Sequence, residues 1–337
     1  MKLLPPALVA AIACTAACGG TPAPSTPSPP PQAPPVAPAS FAFTAAPVDP
    51  SLLQEIVPLG TMNPWGHTLP TDHLYFVLQS GTAAIVAPAA GTIEAAIDRG
   101  GDAKITVRAS GFIYAIDHVI LRAGFTSGTA VQAGQPLGTS TSGVFDLGLA
   151  NLNRPLPFLN PARYSRDTLY ADGPLHYFDE PIRSALYAKV RRAGDDRDGR
   201  IDYDEAGTLA GNWFDEDLPP ERSSIGGDMS VGTRQLSFAR DVYAPDRLRV
   251  SIGGLGMTGL WAVQPGAPDF ASITPASGVV VYRLFSPGEP GGPQGTQQIG
   301  SLLVQLTDGA HLRVEAIAAA GTPAGATFGQ NARAYVR

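Results

Sequence analysis

Short runs in which hydrophobic and polar residues alternate recur along the chain, and glycine or proline separates most of them. A period of two places successive side chains on opposite faces of a strand, so each run predicts a β-strand. In the first half of the chain the predicted strands are 73–78, 84–87, 91–97, 104–108, 112–119, 136–138 and 144–149. In the second half they are 234–239, 248–252, 259–263, 278–285, 301–306 and 311–317. Many short strands with turns between them are typical of an all-β barrel or sandwich.

The same pattern divides the chain into segments with different roles. Residues 1–18 have the character of a signal peptide, and a Pro/Ala/Ser tract over 19–40 predicts an extended linker. A first β domain is predicted over 41–154, and a second β-rich domain over 225–337. Residues 155–224 are interpreted as a connecting region with an acidic loop and a helix or coil around 180–191.

The first eighteen residues predict export and a lipid anchor. Lys2 precedes a short apolar core over 7–13, which is too short to span a bilayer. Residues 15–17 and Cys18 resemble a bacterial lipobox, with Cys14 as the competing site and a plain cleaved signal peptide as the alternative. Acylation at Cys18 would tether the protein to a membrane, so we expect it in the cell envelope, on the periplasmic or extracytoplasmic face.

Composition narrows the function classes. The net charge of the 337 residues is −6 and the pI is about 5.3, so the basic footprint of a nucleic-acid-binding protein is absent. The chain contains 38 glycines and 33 prolines, and charged residues make up 15%, which favours β structure with many turns.

Candidate chemistry concentrates between residues 66 and 149. This stretch holds His67, His73 and His118, which are three of the five histidines in the chain. Asp72 and Asp146 lie in or beside the same predicted strands. Imidazole and carboxylate groups gathered on strands are typical of a metal or proton-transfer site.

Three sequence elements in this stretch resemble the LytM/lysostaphin-type zinc peptidase domain of the M23 family. Residues 86–93 resemble its hairpin, residues 131–138 its glycine-containing turn, and residues 114–119 its central Tyr/Ala-His-Leu strand. The resemblance covers roughly residues 60–150, and it implies a LytM-like β-barrel or sandwich that holds zinc.

The resemblance also implies roles for single residues. His67, Asp72 or His73, and Asp146 would supply the zinc ligands, and His118 matches the family's second catalytic histidine. Four residues separate His67 from Asp72, whereas the family's first motif has three between its His and Asp. The family's closing His-x-His is replaced here by Val-Phe-Asp at 144–146.

Three functional interpretations follow and stay open at this stage. The first is a degenerate peptidase-like domain that binds peptidoglycan or an envelope protein, with or without a metal. The second is an active zinc-dependent peptidoglycan endopeptidase, and the third is a structural or interaction lipoprotein in which the histidines only satisfy hydrogen bonds.

A second candidate metal site is the acidic stretch 194–205, which has the spacing of an EF-hand loop. Asp196, Asp198, Asp202 and Glu205 would be its calcium ligands, although Gly194 stands at the first position, where the loop normally has Asp. The alternative is a solvated acidic β-turn.

Overall fold

The computed structural model describes residues 41–337 except 65, 224–228 and 319–326. The predicted signal peptide, the lipid attachment at Cys18 and the linker 19–40 therefore lie outside the described residues. Within the described part of the chain, no helix is long and apolar enough to cross a membrane. The prediction of an all-β fold is confirmed, because the described α-helices are three short segments: α1 Arg166–Leu169, α2 Ile182–Tyr187 and α3 Met229–Gly232.

The first half of the chain forms an antiparallel sheet of nine strands. They are β1 Leu53–Val57, β2 His73–Leu78, β3 Ala84–Val86, β4 Gly91–Asp98, β5 Ala103–Ala109, β6 Phe112–Leu121, β7 Ala130–Val131, β8 Pro136–Ser140 and β9 Val144–Asn151. The order of hydrogen-bonded neighbours is β1-β2-β9-β6-β5-β4-β7, and β8 pairs with both β6 and β3. Strands β2, β9 and β6 are thus adjacent at the centre, which is where the candidate residues lie.

Alternation of side chains decides which residues leave the core. In β2 the side chains of Leu74, Phe76 and Leu78 are buried in the hydrophobic core, so His73 and Tyr75 point to the opposite face. In β9, Phe145, Leu147 and Leu149 join the same core, and Asp146 points away from it. Tyr75 lies directly opposite Asp146 in the β2–β9 register, which places β2 and β9 polar groups on one face.

The second half of the chain forms a closed antiparallel barrel. Its strands are β10 Gly211–Asp215, β11 Gln235–Arg240, β12 Leu248–Ile252, β13 Gly259–Val263, β14 Val280–Phe285, β15 Gln298–Leu306, β16 His311–Ile317 and β17 Arg333–Val336. Pairing of Phe214 in β10 with Val336 in β17 closes the barrel around a core that includes Trp213, Phe238 and Tyr282. Strand β10 lies in the segment interpreted from the sequence as a connecting region.

Six short 3-10 helices complete the described secondary structure, at Pro50–Leu52, Pro161–Arg163, Leu175–Tyr177, Pro220–Arg222, Phe270–Ser272 and Pro275–Ser277. Helix α2 lies within the segment 180–191 predicted as helix or coil. The segment 161–169 combines a 3-10 helix with α1, and α1 packs against β9 at the centre of the sheet.

The sheet and the barrel are packed together within one compact unit. The buried hydroxyl of Thr68, in the loop before β2, donates a hydrogen bond of 2.8 Å to the carbonyl oxygen of Gly232 in α3. Leu69 packs against a small hydrophobic cluster formed by Phe214, Leu218 and Val231. These contacts hold the start of the barrel beside the polar face of the sheet and leave a groove between them.

Candidate functional site

The groove has a volume of about 580 Å³. On the side of the sheet, the groove is lined by the polar face of β2, β6 and β9 and by the loop 66–71. On the other side it is lined by residues of the segment 163–168 and by Ser223, Val231, Gly232 and Gln235. All five candidate residues predicted from the sequence line the groove: His67, Asp72, His73, His118 and Asp146. The structure therefore gathers all five in one place.

His73 and Asp72 form a hydrogen-bonded pair at one end of the groove. The Nδ1 atom of His73 is 3.0 Å from Oδ1 of Asp72, and the hydroxyl of Thr168 donates to the other carboxylate oxygen at 2.5 Å. Burial alone would lower the pKa of His73, but the hydrogen bond to Asp72 and its charge raise it. Burial alone would raise the pKa of Asp72, but the hydrogen bond to His73, its charge and Thr168 hold that pKa well below its ordinary value.

Asp146 lies at the floor of the groove between two imidazoles. Its Oδ2 is 3.6 Å from Nε2 of His73 and 3.5 Å from Nε2 of His118, both longer than a normal hydrogen bond. The side chain is only 8% exposed, and burial raises the pKa of Asp146 to about 6, although the two histidines partly counteract this. The Oδ1 atom of Asp146 and the Nε2 atom of His73 are buried, and neither has a hydrogen-bond partner among the described residues.

His67 stands at the open rim of the groove. A backbone bridge to Asn63 holds it in the loop before β2, and its ring centroid is 5.4 Å from that of His73 and 6.5 Å from that of Tyr75. Although the imidazole is exposed, the protein around it and the neighbouring positive charge of His73 lower the pKa of His67 to about 4. At neutral pH this ring is therefore uncharged and retains a lone pair.

His118 is held from its other side by a carboxylate. It adopts a positive φ of 63° in β6, and its Nδ1 atom is 3.2 Å from both oxygens of Asp102. Together with Asp146 this produces an alternating row of carboxylate and imidazole groups: Asp72, His73, Asp146, His118, Asp102. The carboxylates at the two ends of this row, Asp72 and Asp102, orient the rings of His73 and His118.

Among the described residues, one group of possible ligand atoms is compact enough to hold an ion without rearrangement, and it is not the group around Asp146. It consists of Asp102, Asp117 and His118. Arg99 forms an ion pair with both of these carboxylates, and Asp117 also accepts the backbone N–H of His118. The guanidinium of Arg99 already engages oxygens of both carboxylates, so this group forms an ion-pair network that competes with metal binding.

The residues around Asp146 do suit zinc in their chemistry. Neutral His67, the unpartnered Nε2 of His73 and the unpartnered carboxylate oxygen of Asp146 are the nitrogen and oxygen donors that zinc prefers. Asp72 holds the opposite nitrogen of His73, which is how metal-binding imidazoles are usually oriented. The sequence left open whether Asp72 or His73 faces the site; in the structure His73 faces Asp146 and Asp72 lies behind it.

Val144 begins β9, where it pairs with Val77 and is half-buried. Valine cannot accept a proton or donate a hydrogen bond from its side chain. His118 is thus the imidazole in the groove that is free to act beside the candidate ligands.

The predicted calcium site is not supported. Asp198 accepts the backbone N–H of Leu175 and contacts His176 and Tyr187, so its oxygens are already in use. The carboxylate of Asp196 pairs with Arg192. Similarly, Arg200 pairs with Asp202, and Arg337 binds the backbone carbonyl of Glu205. In the described part of the chain these four carboxylates do not form a group that could hold an ion, and those of Asp196, Asp198 and Asp202 are already paired with neighbouring side chains.

Three residues of the site were not anticipated from the sequence. Thr168 and Arg163 line the groove from the predicted connecting region. Asp102, in a turn between β4 and β5, does not line the groove but contacts His118. Each is brought to the site only by the tertiary fold. No local spacing or periodicity in the sequence marks them.

No family model matches the chain, and no curated protein matches it. Among solved structures, Csd3 of Helicobacter pylori is similar at 17% identity and a TM-score of 0.28 over 35% of this chain and 33% of that one. This chain therefore spans about a third of the length of Csd3. A zinc-containing peptidase from Vibrio cholerae is similar at 14% identity and a TM-score of 0.27, over 35% of this chain and 39% of that one.

Pseudoalterin, an M23 metalloprotease from the deep sea, is similar at 19% identity and a TM-score of 0.26. That similarity covers 41% of this chain and 90% of pseudoalterin. Because all three TM-scores lie well below 0.5, the function proposed below rests on the residues of the groove.

Proposed function

We propose that this chain is a peptidase-like binding protein of the cell envelope, whose groove holds Zn²⁺ and a peptide from peptidoglycan or from an envelope protein. The observation that carries the proposal is the pair of buried, unpartnered atoms at the groove floor, Nε2 of His73 and Oδ1 of Asp146. A buried polar atom without a partner costs about 1–3 kcal/mol, and a bound cation would remove that cost for both atoms.

His67, His73 and Asp146 would hold the ion. Three protein ligands leave a position open, and zinc bound there would polarise a peptide carbonyl or acidify a water molecule. Asp72 keeps Nε2 of His73 directed at the groove by holding Nδ1 at 3.0 Å. The depressed pKa of His67 keeps its ring neutral and able to bind a metal near pH 7.

Binding is favoured over efficient hydrolysis because of Val144. The general-base position implied by the family resemblance carries this aliphatic side chain, so one proton-transfer group is missing. His118 then serves to contact bound peptide through Nε2, while Asp102 fixes its orientation through Nδ1.

A second candidate, a slow zinc-dependent peptidoglycan endopeptidase, is favoured by one observation. The Asp102–His118 pair has the arrangement of a carboxylate that orients a general base. Incubation of zinc-loaded protein with purified peptidoglycan, followed by chromatography of released fragments, tests it. Release that disappears in His118→Ala would favour the enzyme, and no release above a boiled sample would leave the binding function.

The metal is tested by mass spectrometry of protein dialysed against zinc. We expect about one zinc per chain in the wild type and a loss of most of it in His67→Ala and His73→Ala. His311→Ala is the matched control, because His311 is an exposed histidine paired with Asp308 on the far barrel. Equal zinc in all four proteins, or none in the wild type, would refute the metal site.

The partner is tested by sedimentation with purified peptidoglycan, with and without a chelator. If the wild-type protein sediments with peptidoglycan and a chelator weakens this binding, the result would support a groove in which the metal contributes to binding. Attachment to the envelope through acylated Cys18 belongs to the same proposal, and Cys18→Ala should release the protein from membranes without changing its zinc content. Membrane association that persists in Cys18→Ala would argue against that anchor.

A further inference from the structure

Arg163 occupies an unusual place in the wall of the groove. It ends the 3-10 helix Pro161–Arg163 and is 5% exposed. Its Nη1 donates to the carbonyl oxygen of Leu218 at 3.0 Å and lies 3.5 Å from the hydroxyl of Ser223. The guanidinium carbon is 4.8 Å from the ring centroid of Phe214. The side chain is therefore held firmly in one position.

This guanidinium has no carboxylate partner among the described residues. Its Nε atom is buried and makes no hydrogen bond. The other buried arginines differ: Arg192 pairs with Asp196, Arg249 pairs with Asp241, and Arg337 lies in the field of Asp204 and Glu205. Each of these three buried arginines thus has an acidic neighbour. Burial lowers the pKa of Arg163, yet an arginine keeps its charge.

A buried, uncompensated cation is costly in free energy, and it persists where another requirement retains it. The packing against Phe214 offsets part of that cost. The groove-lining neighbours Ser223 and Gln235 are polar and uncharged. The carboxylate of Asp167 also lines the groove, but it pairs with Lys104 and Arg166 and not with Arg163. The planar fork of a guanidinium matches a carboxylate better than it matches any neutral group.

We propose that Arg163 binds a carboxylate of the peptide that occupies the groove, so that the wall opposite the sheet selects acidic or carboxylate-terminated peptides. This rests on the proposed function only in that a peptide enters the groove. It does not depend on zinc, since Arg163 is separate from His67, His73 and Asp146.

The probes are N-acetyl-trialanine, which ends in a carboxylate, and its C-terminal amide, titrated into the full chain in a chelator. We expect the wild type to bind the acid about tenfold more tightly than the amide, the ratio expected for one charge-assisted hydrogen-bonded pair. Arg163→Gln should bring that ratio close to one, and Arg163→Lys should retain part of it. Arg240→Gln is the control, because Arg240 pairs with Asp269 outside the groove and its loss should leave the ratio unchanged.

A second measurement needs no variant that could fail to fold. In nitrogen-15 NMR of the wild type, the Nε–H signal of Arg163 should move on addition of the acid and stay in place with the amide. Equal affinities for acid and amide, no binding of either, or a signal indifferent to both would overturn the proposal. Zinc content measured on a separate portion of each protein, dialysed against zinc without chelator, separates the two ideas. A carboxylate preference in a protein that takes up no zinc refutes only the metal site, and zinc uptake without a preference refutes only this inference.

Discussion

Replacing Asp146 by Asn in metal-free protein is the sharpest test of the electrostatics at the groove floor. Burial raises the pKa of this carboxyl from its ordinary value of 3.8 to about 6. The folded protein then binds the proton more tightly than the unfolded chain does, so the wild type loses stability as the pH rises from about 4 to about 6. Asn has the same shape and does not titrate, so the variant escapes that loss.

The magnitude follows from the displacement of the pKa. Roughly two pH units at about 1.4 kcal/mol each give an upper bound of about 3 kcal/mol. We therefore expect the free energy of unfolding of Asp146→Asn to increase, relative to that of the wild type, by about 2 kcal/mol between pH 4 and pH 6.5, which means that the variant becomes relatively more stable. The nearby histidines partly stabilise the charged carboxylate, which is why the expected change is below the bound.

The assay is urea denaturation in a chelating buffer at several pH values, followed by tryptophan fluorescence. Asp308→Asn is a matched control, since Asp308 is exposed and backbone N–H groups together with His311 lower its pKa. Because its pKa lies below 3.8, its pH dependence has the opposite sign and lies below about pH 4, so the difference between Asp308→Asn and wild type should stay nearly flat from pH 4 to pH 6.5. If the unfolding free energies of Asp146→Asn and wild type differ by an amount that stays constant within about 0.5 kcal/mol across this pH range, the reasoning that burial raises the pKa of Asp146 would be refuted.

Three further predictions concern the site and its support. Asp72→Asn should weaken zinc binding by about 10- to 100-fold, because the amide orients His73 less strongly; competition with a zinc dye measures this, and unchanged affinity would exclude an orienting role. Gly253→Ala should destabilise the chain by about 1–3 kcal/mol, since an added Cβ would lie 1.8 Å from a backbone carbonyl oxygen, and an unchanged melting temperature would contradict that clash. Arg249→Leu should cost about 3–5 kcal/mol in urea unfolding by leaving Asp241 buried and unpaired, and adding Asp241→Asn should recover part of it; a double variant no more stable than the single one would argue against the pair.

Most strands were predictable from the sequence because alternation is a local property. The predicted limits 73–78, 248–252, 259–263 and 311–317 coincide with β2, β12, β13 and β16. Strands β1, β7 and β17 were missed, and β10 was assigned only to the connecting region. The first pairs only with β2 at the edge of the sheet, the second has two residues, and the third alternates weakly over Arg333–Val336. Edge and very short strands owe their conformation to their neighbours, so their own sequence carries little signal.

The site was predictable only in part, for a geometric reason. Scarce histidines beside aspartates could be recognised in the sequence, and the fold brings His67, His73, His118 and Asp146 to one groove. Which of two adjacent residues faces the groove depends on strand register, which buries Leu74 and thereby turns His73 outward. Partners such as Asp102 and Thr168 come from distant turns and helices, and sequence spacing cannot indicate such contacts.

Closure of the barrel gives the groove an order of assembly. The central sheet is complete once residue 151 is available, whereas pairing of β10 with β17 needs the last residues of the chain. Contacts so distant in sequence carry a large loop-closure cost and form slowly. During synthesis the row of imidazoles and carboxylates therefore precedes the wall that Phe214 and Leu218 build around Arg163. A chain interrupted before its final strand would carry the row of imidazoles and carboxylates without a closed barrel beside it.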